Sequence, residues 1–266
     1  MIKLIASDMD GTLLDDNKQL PADFFEVIDR LNEAGIRFTI ASGRTFAAVE
    51  HLFPEEYLTK IDFICDNGAC VYHKGKPVYI KALERSTFEE LLAACEQIGG
   101  LRVIVCAEGG SYHLKYDEQF DAEVAKFYKN HQTCTDLYSI KDTIFKLAVC
   151  DYAGSMERAK PAIDGIFGDR LNVQVSGKIW MDVMASGVSK GTALKALAEQ
   201  VGAEREEIMA FGDYFNDMDM LMSAGLSFAM ENGHPNVKKA CRYTAPSNND
   251  GGVTKAIRKY AFGEEI

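Results

Sequence analysis

Asp8 and Asp10 stand two residues apart in Asp-Met-Asp-Gly-Thr, where the apolar run Ile2 to Ser7 ends. Carboxylates form covalent phosphoryl-enzyme intermediates. The pair therefore suits an aspartate nucleophile with an acid/base partner, and a permissive Gly11 and the Thr12 hydroxyl follow it. Two more acids and an amide lie far along the chain, in Gly212-Asp213-Tyr-Phe-Asn216-Asp217. If the strand ends are neighbours, Asp8, Asp10, Asp213 and Asp217 converge on one small volume. Two carboxylates ~4 Å apart repel by about 4 kcal/mol at an effective dielectric near ~20. Such a cluster requires a cation, and hard oxygen donors with room for water and an anion favour Mg²⁺ over zinc. Asp213 would ligate it; Asp217 would ligate it or hold a coordinated water.

Anion-holding groups are present as well. Ser42-Gly43-Arg44 follows the apolar run Ile36 to Ala41 and precedes a helical pattern, Thr45 to Phe53. A hydroxyl and free N–H groups at a helix N-terminus form an anion site. Lys190 falls in the first turn of the helix Ser189 to Val201, where a cation opposes the macrodipole. That unfavourable sign suggests a task, the neutralisation of a transferring phosphoryl group. Asn216 either hydrogen-bonds the phosphate or Lys190, or simply caps the turn.

The elements that must position these groups are legible in outline. Three apolar runs, Ile2 to Ser7, Ile36 to Ala41 and Ile208 to Phe211, each end in residues useful for chemistry. Near-continuous apolar strands alternating with helical patterns indicate a parallel sheet covered on both faces. A crossover helix is predicted over Pro21 to Ala34, with Gly35 as its C-terminal stop. From residue 83 to residue 184 the pattern changes. There, helices (Ser86 to Ile98, Asp117 to Lys129, Ser155 to Phe167) mix with strands joined as hairpins through Gly109-Gly110 and Gly177-Lys178. The expected organisation is an α/β core, Rossmann-like and doubly wound, over residues 1–82 and 185–266, with an α+β cap inserted at 83–184. His113, Lys146, Ser176, Lys178 and Trp180 are cap residues that could meet a ligand, each with a structural role as the plainer reading. His51, His73, His131 and His234 show no ligand spacing.

Composition narrows the partners. The 266 residues carry a net charge of −11, which disfavours nucleic acid and anionic membrane surfaces. The seven Cys are scattered without a CxxC pair, as in a protein kept reduced. No secretory pattern and no run of ~18 apolar residues is seen. These features predict a cytoplasmic protein with a small-molecule ligand, as a monomer or weak homo-oligomer.

Asp8-Met-Asp-Gly-Thr-Leu-Leu, Ser42-Gly-Arg, Gly187-Val-Ser-Lys190-Gly and Gly212-Asp-Tyr-Phe-Asn-Asp resemble, in order, the four motifs of the haloacid dehalogenase-like superfamily. The large insert before the Lys motif is similar to that of Cof-type sugar-phosphate phosphatases with a C2B cap. Asp66-Asn67-Gly68-Ala69 and the segment Ser247 to Val253 fit the same resemblance. It implies a Mg²⁺-dependent phosphatase acting on a small phosphorylated metabolite through phospho-Asp8, with Asp10 as acid/base. It places phosphate on Met9, Gly11, Ser42, Gly43, Arg44, Lys190 and Asn216. Metal falls to Asp8, the Asp10 backbone carbonyl, Asp213 and Asp217. Tyr214 departs from the Gly or Asn often found after the Gly-Asp pair. A phosphomutase and a non-catalytic phospho-aspartate receiver are the alternatives. On this reading Asp10 needs a raised pKa, with the carboxylate crowd as one source, and the cap closes as a lid.

Overall fold

The computed structural model describes residues 1–128 and 131–265. In chain order the elements begin with β1 (Leu4–Asp8), α1 (Phe24–Glu33), β2 (Arg37–Ala41), α2 (Phe46–Glu50), β3 (Ile61–Cys65), β4 (Cys70–His73) and β5 (Lys76–Ile80). Next come α3 (Arg85–Ile98), β6 (Arg102–Ala107), β7 (Gly110–Leu114), α4 (Glu118–Phe127), β8 (His131–Cys134), β9 (Ile144–Cys150), α5 (Lys160–Phe167), β10 (Leu171–Val175) and β11 (Trp180–Ala185). The chain closes with α6 (Lys190–Val201), β12 (Ile208–Gly212), α7 (Met218–Ser223), β13 (Leu226–Met230), α8 (Pro235–Ala240), β14 (Tyr243–Ala245) and α9 (Gly252–Ala261).

Two compact units result, one of Met1–Arg44, Phe53–Ile80 and the chain from Ser189 on, the other of Thr45–Leu52 and Lys81–Val188. In the first, the described strands form an eight-stranded sheet in the order β14-β13-β12-β1-β2-β3-β4-β5. The β14-to-β3 stretch is parallel, and β4 and β5 add an antiparallel edge. β1 lies between β12 and β2, so all three chemistry-bearing strand ends adjoin at one rim. That rim is where ligands bind in open α/β sheets.

Both faces of this sheet are covered, which explains why β1 is buried along its whole length. Leu4 and Ala6 join Ala193, Leu194 and Leu197 of α6 in one core cluster. Ile5, on the opposite face, pairs in register with Phe38, and Phe38 meets Phe24 of α1 edge-on at 5.6 Å. Each of these fully buried Leu, Ile and Phe side chains contributes about 1.5–3 kcal/mol. α1 begins at Phe24, three residues after the expected start at Pro21, because the Pro21 carbonyl accepts the Phe24 N–H in a preceding turn. α2 is shorter than its predicted span of Thr45 to Phe53, with the Thr45 side chain capping it.

The second unit is α+β. Its described strands form a six-stranded sheet, β10-β11-β9-β6-β7-β8. Both expected hairpins, β6–β7 and β10–β11, are antiparallel. α3 and α5 pack on one face. α4 covers the other through Phe120 and Val124. The helix expected over Asp117 to Lys129 has Asp117 as its side-chain cap and runs Glu118–Phe127; residue 129 lies outside the described residues. Among the described residues no helix is long and apolar enough to cross a membrane.

Candidate active site

Lys190 organises the site. It is the first residue of α6, with Ser189 as N-cap, and its side chain is 1% exposed. The ammonium donates to Asp8 Oδ1 at 2.5 Å and to Asp217 Oδ1 at 2.7 Å. Burial alone would lower its pKa, but Asp217 and Asp8 outweigh that cost and raise it. The cation therefore stays charged in a place with almost no water, and the two acids explain its unusual helix position.

The pKa values of Asp8 and Asp213 also move up, which for an acid disfavours the charged form. Asp8, at the end of β1, is buried, and that burial, followed by the repulsion of Asp217, pushes its carboxyl up to about 8 against the pull of Lys190. Asp213, just past β12, is pushed up to about 6 by burial and then by Asp217. One carboxylate oxygen from each of Asp8, Asp213 and Asp217 lies within 4.8 Å of the other two. Were all three acids ionised, one ammonium would leave two negative charges unbalanced, and all the donors are hard oxygens. This set fits a divalent cation of the Mg²⁺ type.

Asp217 is engaged on both oxygens. While Oδ1 receives Lys190, Oδ2 accepts the backbone N–H of Asp213 at 3.0 Å and of Tyr214 at 3.3 Å. It thus ties the Asp213 turn to the Lys190 ammonium. Thr12 adds a hydroxyl bond to Asp213 Oδ1 at 3.3 Å. Asn216 is half-buried on the same turn, but the Lys190 ammonium bonds go to Asp8 and Asp217 instead.

Asp10 differs from expectation. Burial pushes its pKa up, yet the Arg44 guanidinium and the Lys18 ammonium outweigh that and leave it lowered. Arg44 reaches it with Nε at 3.0 Å and Nη2 at 2.7 Å, and Lys18 with Nζ at 2.9 Å. The carboxylate crowd raises Asp8 and Asp213; Asp10 faces two cations. Lys18 carries no spacing signal in the sequence, because it reaches Asp10 only through the turn of Asp15 to Lys18.

The remaining expected phosphate residues fall around the same loops. Ser42 is buried, and its Oγ accepts the Arg44 N–H at 3.1 Å. The N-cap of α2 is Thr45, so Ser42 offers its hydroxyl without a helix terminus behind it. Met9 is fully buried, which leaves its backbone alone to face a ligand. Gly11 has φ +81°, and a Cβ there would stand 2.7 Å from Asp213 Oδ2.

The segment Asp66-Asn67-Gly68 props up two of these motifs at once. Asp66 N–H donates to the Arg44 carbonyl and Asn67 N–H to the Ser42 carbonyl. A Cβ on Gly43 would come within 3.0 Å of Asn67 Oδ1. Gly68, at φ +103°, abuts α6 so closely that a Cβ would lie 2.1 Å from the Ser189 carbonyl oxygen. Gly68→Ala should therefore cost about 3 kcal/mol of stability, from overpacking and strain together. Urea unfolding reads this directly, and a loss below ~1 kcal/mol would contradict the wedge.

In the second unit, the singled-out residues have partners of their own. Lys146 pairs with Asp182 at 3.0 Å, both of them buried. His113 Nε2 meets His131 Nδ1 at 2.8 Å, and Trp180 packs near Phe120 at 6.1 Å. Ser176 and Lys178 lie exposed at a hairpin turn.

Comparisons with known proteins identify the family. Residues 5–257 match the description of haloacid dehalogenase-like hydrolases. An Escherichia coli K12 protein named 5-amino-6-(5-phospho-D-ribitylamino)uracil phosphatase is 32% identical over 97% of this chain and 96% of its own length. A Bacillus subtilis 168 protein of the same name is 27% identical over 97% of both chains. The crystal structure of a Streptococcus mutans UA159 protein superposes with a TM-score of 0.89 at 27% identity, covering 98% of this chain and 100% of that one. The chain belongs to the haloacid dehalogenase-like hydrolases and is a phosphoric monoester hydrolase, a phosphatase of that family.

Proposed function

We propose that the protein hydrolyses monoesters of sugar or sugar-alcohol phosphates with Mg²⁺, through a phosphoryl group carried transiently on Asp8. The carrying observation is the buried Lys190 ammonium 2.5 Å from Asp8 and 2.7 Å from Asp217, beside Asp213. A receiver domain has less use for a second carboxylate at Asp10 held by its own cations. The phospho-ribityl group in the names of two relatives supports a phosphate on an acyclic polyol as the first substrate to test.

Phosphoryl transfer asks a protein mainly for positioning and charge neutralisation. Asp8 attacks phosphorus in line, forming the Asp8 Oδ–P bond as the ester P–O bond breaks. Lys190 and the Ser42 hydroxyl meet the equatorial oxygens. Asp8, the Asp10 carbonyl and Asp213 would hold Mg²⁺, which supplies a further positive charge against the phosphoryl oxygens, and Asp217 keeps Asp213 and Lys190 in place. A bound phosphate dianion competes with Asp10 for Arg44. Losing that cation raises the affinity of Asp10 for a proton. Asp10 then protonates the leaving alkoxide, and as a carboxylate it takes a proton from the water that cleaves phospho-Asp8.

The test is phosphate release from a panel of phosphorylated metabolites, 5-amino-6-(5-phospho-D-ribitylamino)uracil and hexose phosphates among them, with Mg²⁺ and with EDTA. Release in Mg²⁺ and loss in EDTA are expected. Isomer formation without free phosphate would identify a mutase instead, and a long-lived phospho-Asp8 without turnover a receiver. Mg²⁺ should also raise the Tm. Because a metal needs ionised carboxylates, that rise should shrink as pH falls from about 8 towards 6, where Asp8 and Asp213 take up protons.

A further inference from the structure

We propose that Asn232 and Asn248 are positioning residues for the catalytic loop, latching the peptide that follows Asp10. The inference rests on the reading of Asp10 as the acid/base group.

The loop has a weak point. Gly11 separates Asp10 from Thr12 at φ +81°, and glycine resists rotation less than any other residue. Rotation at Gly11 would move the Asp10 side chain on one side and the Thr12 bond to Asp213 on the other. The local backbone holds it only partly, through an isolated bridge between Asp10 and Leu14 in which the Leu14 N–H donates to the Met9 carbonyl. The missing restraint comes from more than two hundred residues along the chain. Asn232 Nδ2 donates to the Gly11 carbonyl at 2.8 Å. This bond fixes the peptide on the far side of Gly11, and with it the direction in which the near side can turn.

Asn232 is exposed, so its own bond competes with water. Asn248, which is 3% exposed, keeps it in place: the Asn248 backbone N–H donates to Asn232 Oδ1 at 3.1 Å. The Asn248 side chain also grips the loop directly. Its Nδ2 donates to the Leu14 carbonyl at 3.0 Å and to Asp16 Oδ1 at 3.1 Å. Asn249 closes the clasp by accepting the Asp16 N–H at 3.0 Å and donating to Asp16 Oδ2 at 3.0 Å. The loop from Gly11 to Asp16 is thus held at Gly11, Leu14 and Asp16 by three asparagines. The Lys18 turn, which brings a cation to Asp10, follows directly from this clasp.

The test compares Asn232→Ala, Asn248→Ala and Asn232→Gln with wild type, using the phosphate-release assay, thermal unfolding and Mg²⁺ as the metal. A small displacement of a catalytic group costs up to about 100-fold in rate. The Ala variants should therefore lose about 10- to 100-fold in kcat with KM changed by less than about twofold. Asn232→Gln, which keeps an amide donor, should recover part of that loss. Asn232 is exposed, so its Ala variant should fold even if Asn248→Ala does not. A kcat within about twofold of wild type for Asn232→Ala would overturn the latch, as would equal losses in the Gln and Ala variants. The prior reading fails separately: if Asp10→Asn keeps the wild-type kcat, the acid/base assignment is wrong. A dead Asp10→Asn beside fully active asparagine variants sinks only the latch.

Discussion

Asp8→Asn should bring turnover down by about 10⁴-fold or more, the scale on which enzymes lose rate when the covalent nucleophile is removed. The change is nearly isosteric and leaves a hydrogen-bond acceptor for the Lys190 ammonium. It removes the anionic oxygen that, in the proposed mechanism, forms the bond to phosphorus. It also relieves the cluster, since Asp8 is held in a buried position against Asp217 and Asp213. The variant should therefore fold at least as well as wild type while losing its chemistry. Two measurements on one sample check this: kcat with Mg²⁺, and the midpoint of thermal unfolding without it. A variant with wild-type turnover would remove the phospho-aspartyl route, and an inactive but unfolded variant would contradict the electrostatic argument.

The strand ends were legible because chemistry and hydrophobicity change register at the same residues. β1, β2 and β12 are apolar runs that stop at Asp8, Ser42 and Asp213, and burial on both faces of a parallel sheet demands that pattern. β3 was hidden by Asp62, a charged residue in the middle of a fully buried strand. It is accommodated by Arg37, with Nε at 3.1 Å, and by His73 at 3.0 Å, partners on the flanking strands that no local window reveals. The edge pair β4 and β5 turns back antiparallel, while the sequence pattern pointed to parallel strands alone.

The site follows the same division. Asp8, Asp10, Ser42, Lys190 and Asp213 stand at positions where strand ends or caps single them out. Lys18 and Asn232 act through loops that meet only after folding, and the Asp66-Asn67-Gly68 wedge showed in the sequence only through the family resemblance. Their residue types, a lysine in a turn and asparagines in polar stretches, are those of ordinary surface segments. The expected source of the Asp10 shift failed for a related reason. Which carboxylates crowd one another depends on side-chain direction, and Asp10 turns towards Arg44 and Lys18 while Asp8 turns into the cluster.

Lys190→Met should damage both stability and catalysis, and for one cause. The substitution keeps the bulk of the side chain but leaves Asp8 and Asp217 buried without the cation that now sits 2.5 and 2.7 Å from them. Removing one partner of a buried ion pair costs about 3–5 kcal/mol, because the remaining charges stay out of water. Asp8 can escape only by binding a proton, and losing Lys190 removes the pull that holds its pKa down at about 8, so the penalty relative to wild type should grow as pH rises from about 8. The sign is that of an acid whose folded pKa lies above its unfolded value: stability falls as pH rises. In the proposed mechanism catalysis loses the charge that meets the transferring phosphoryl group, a change worth about 10²–10³-fold in kcat by analogy with a preorganised electrostatic donor. The two effects separate in a second variant. Adding Asp217→Asn to Lys190→Met removes one of the stranded charges, so stability should return in part while kcat does not. Urea unfolding at pH 7 and pH 9, with phosphate release on the same preparations, measures both. A Lys190→Met protein that is as stable as wild type at pH 9 would mean that Lys190 does not stabilise the Asp8 carboxylate, and the electrostatic account of the site would have to be abandoned.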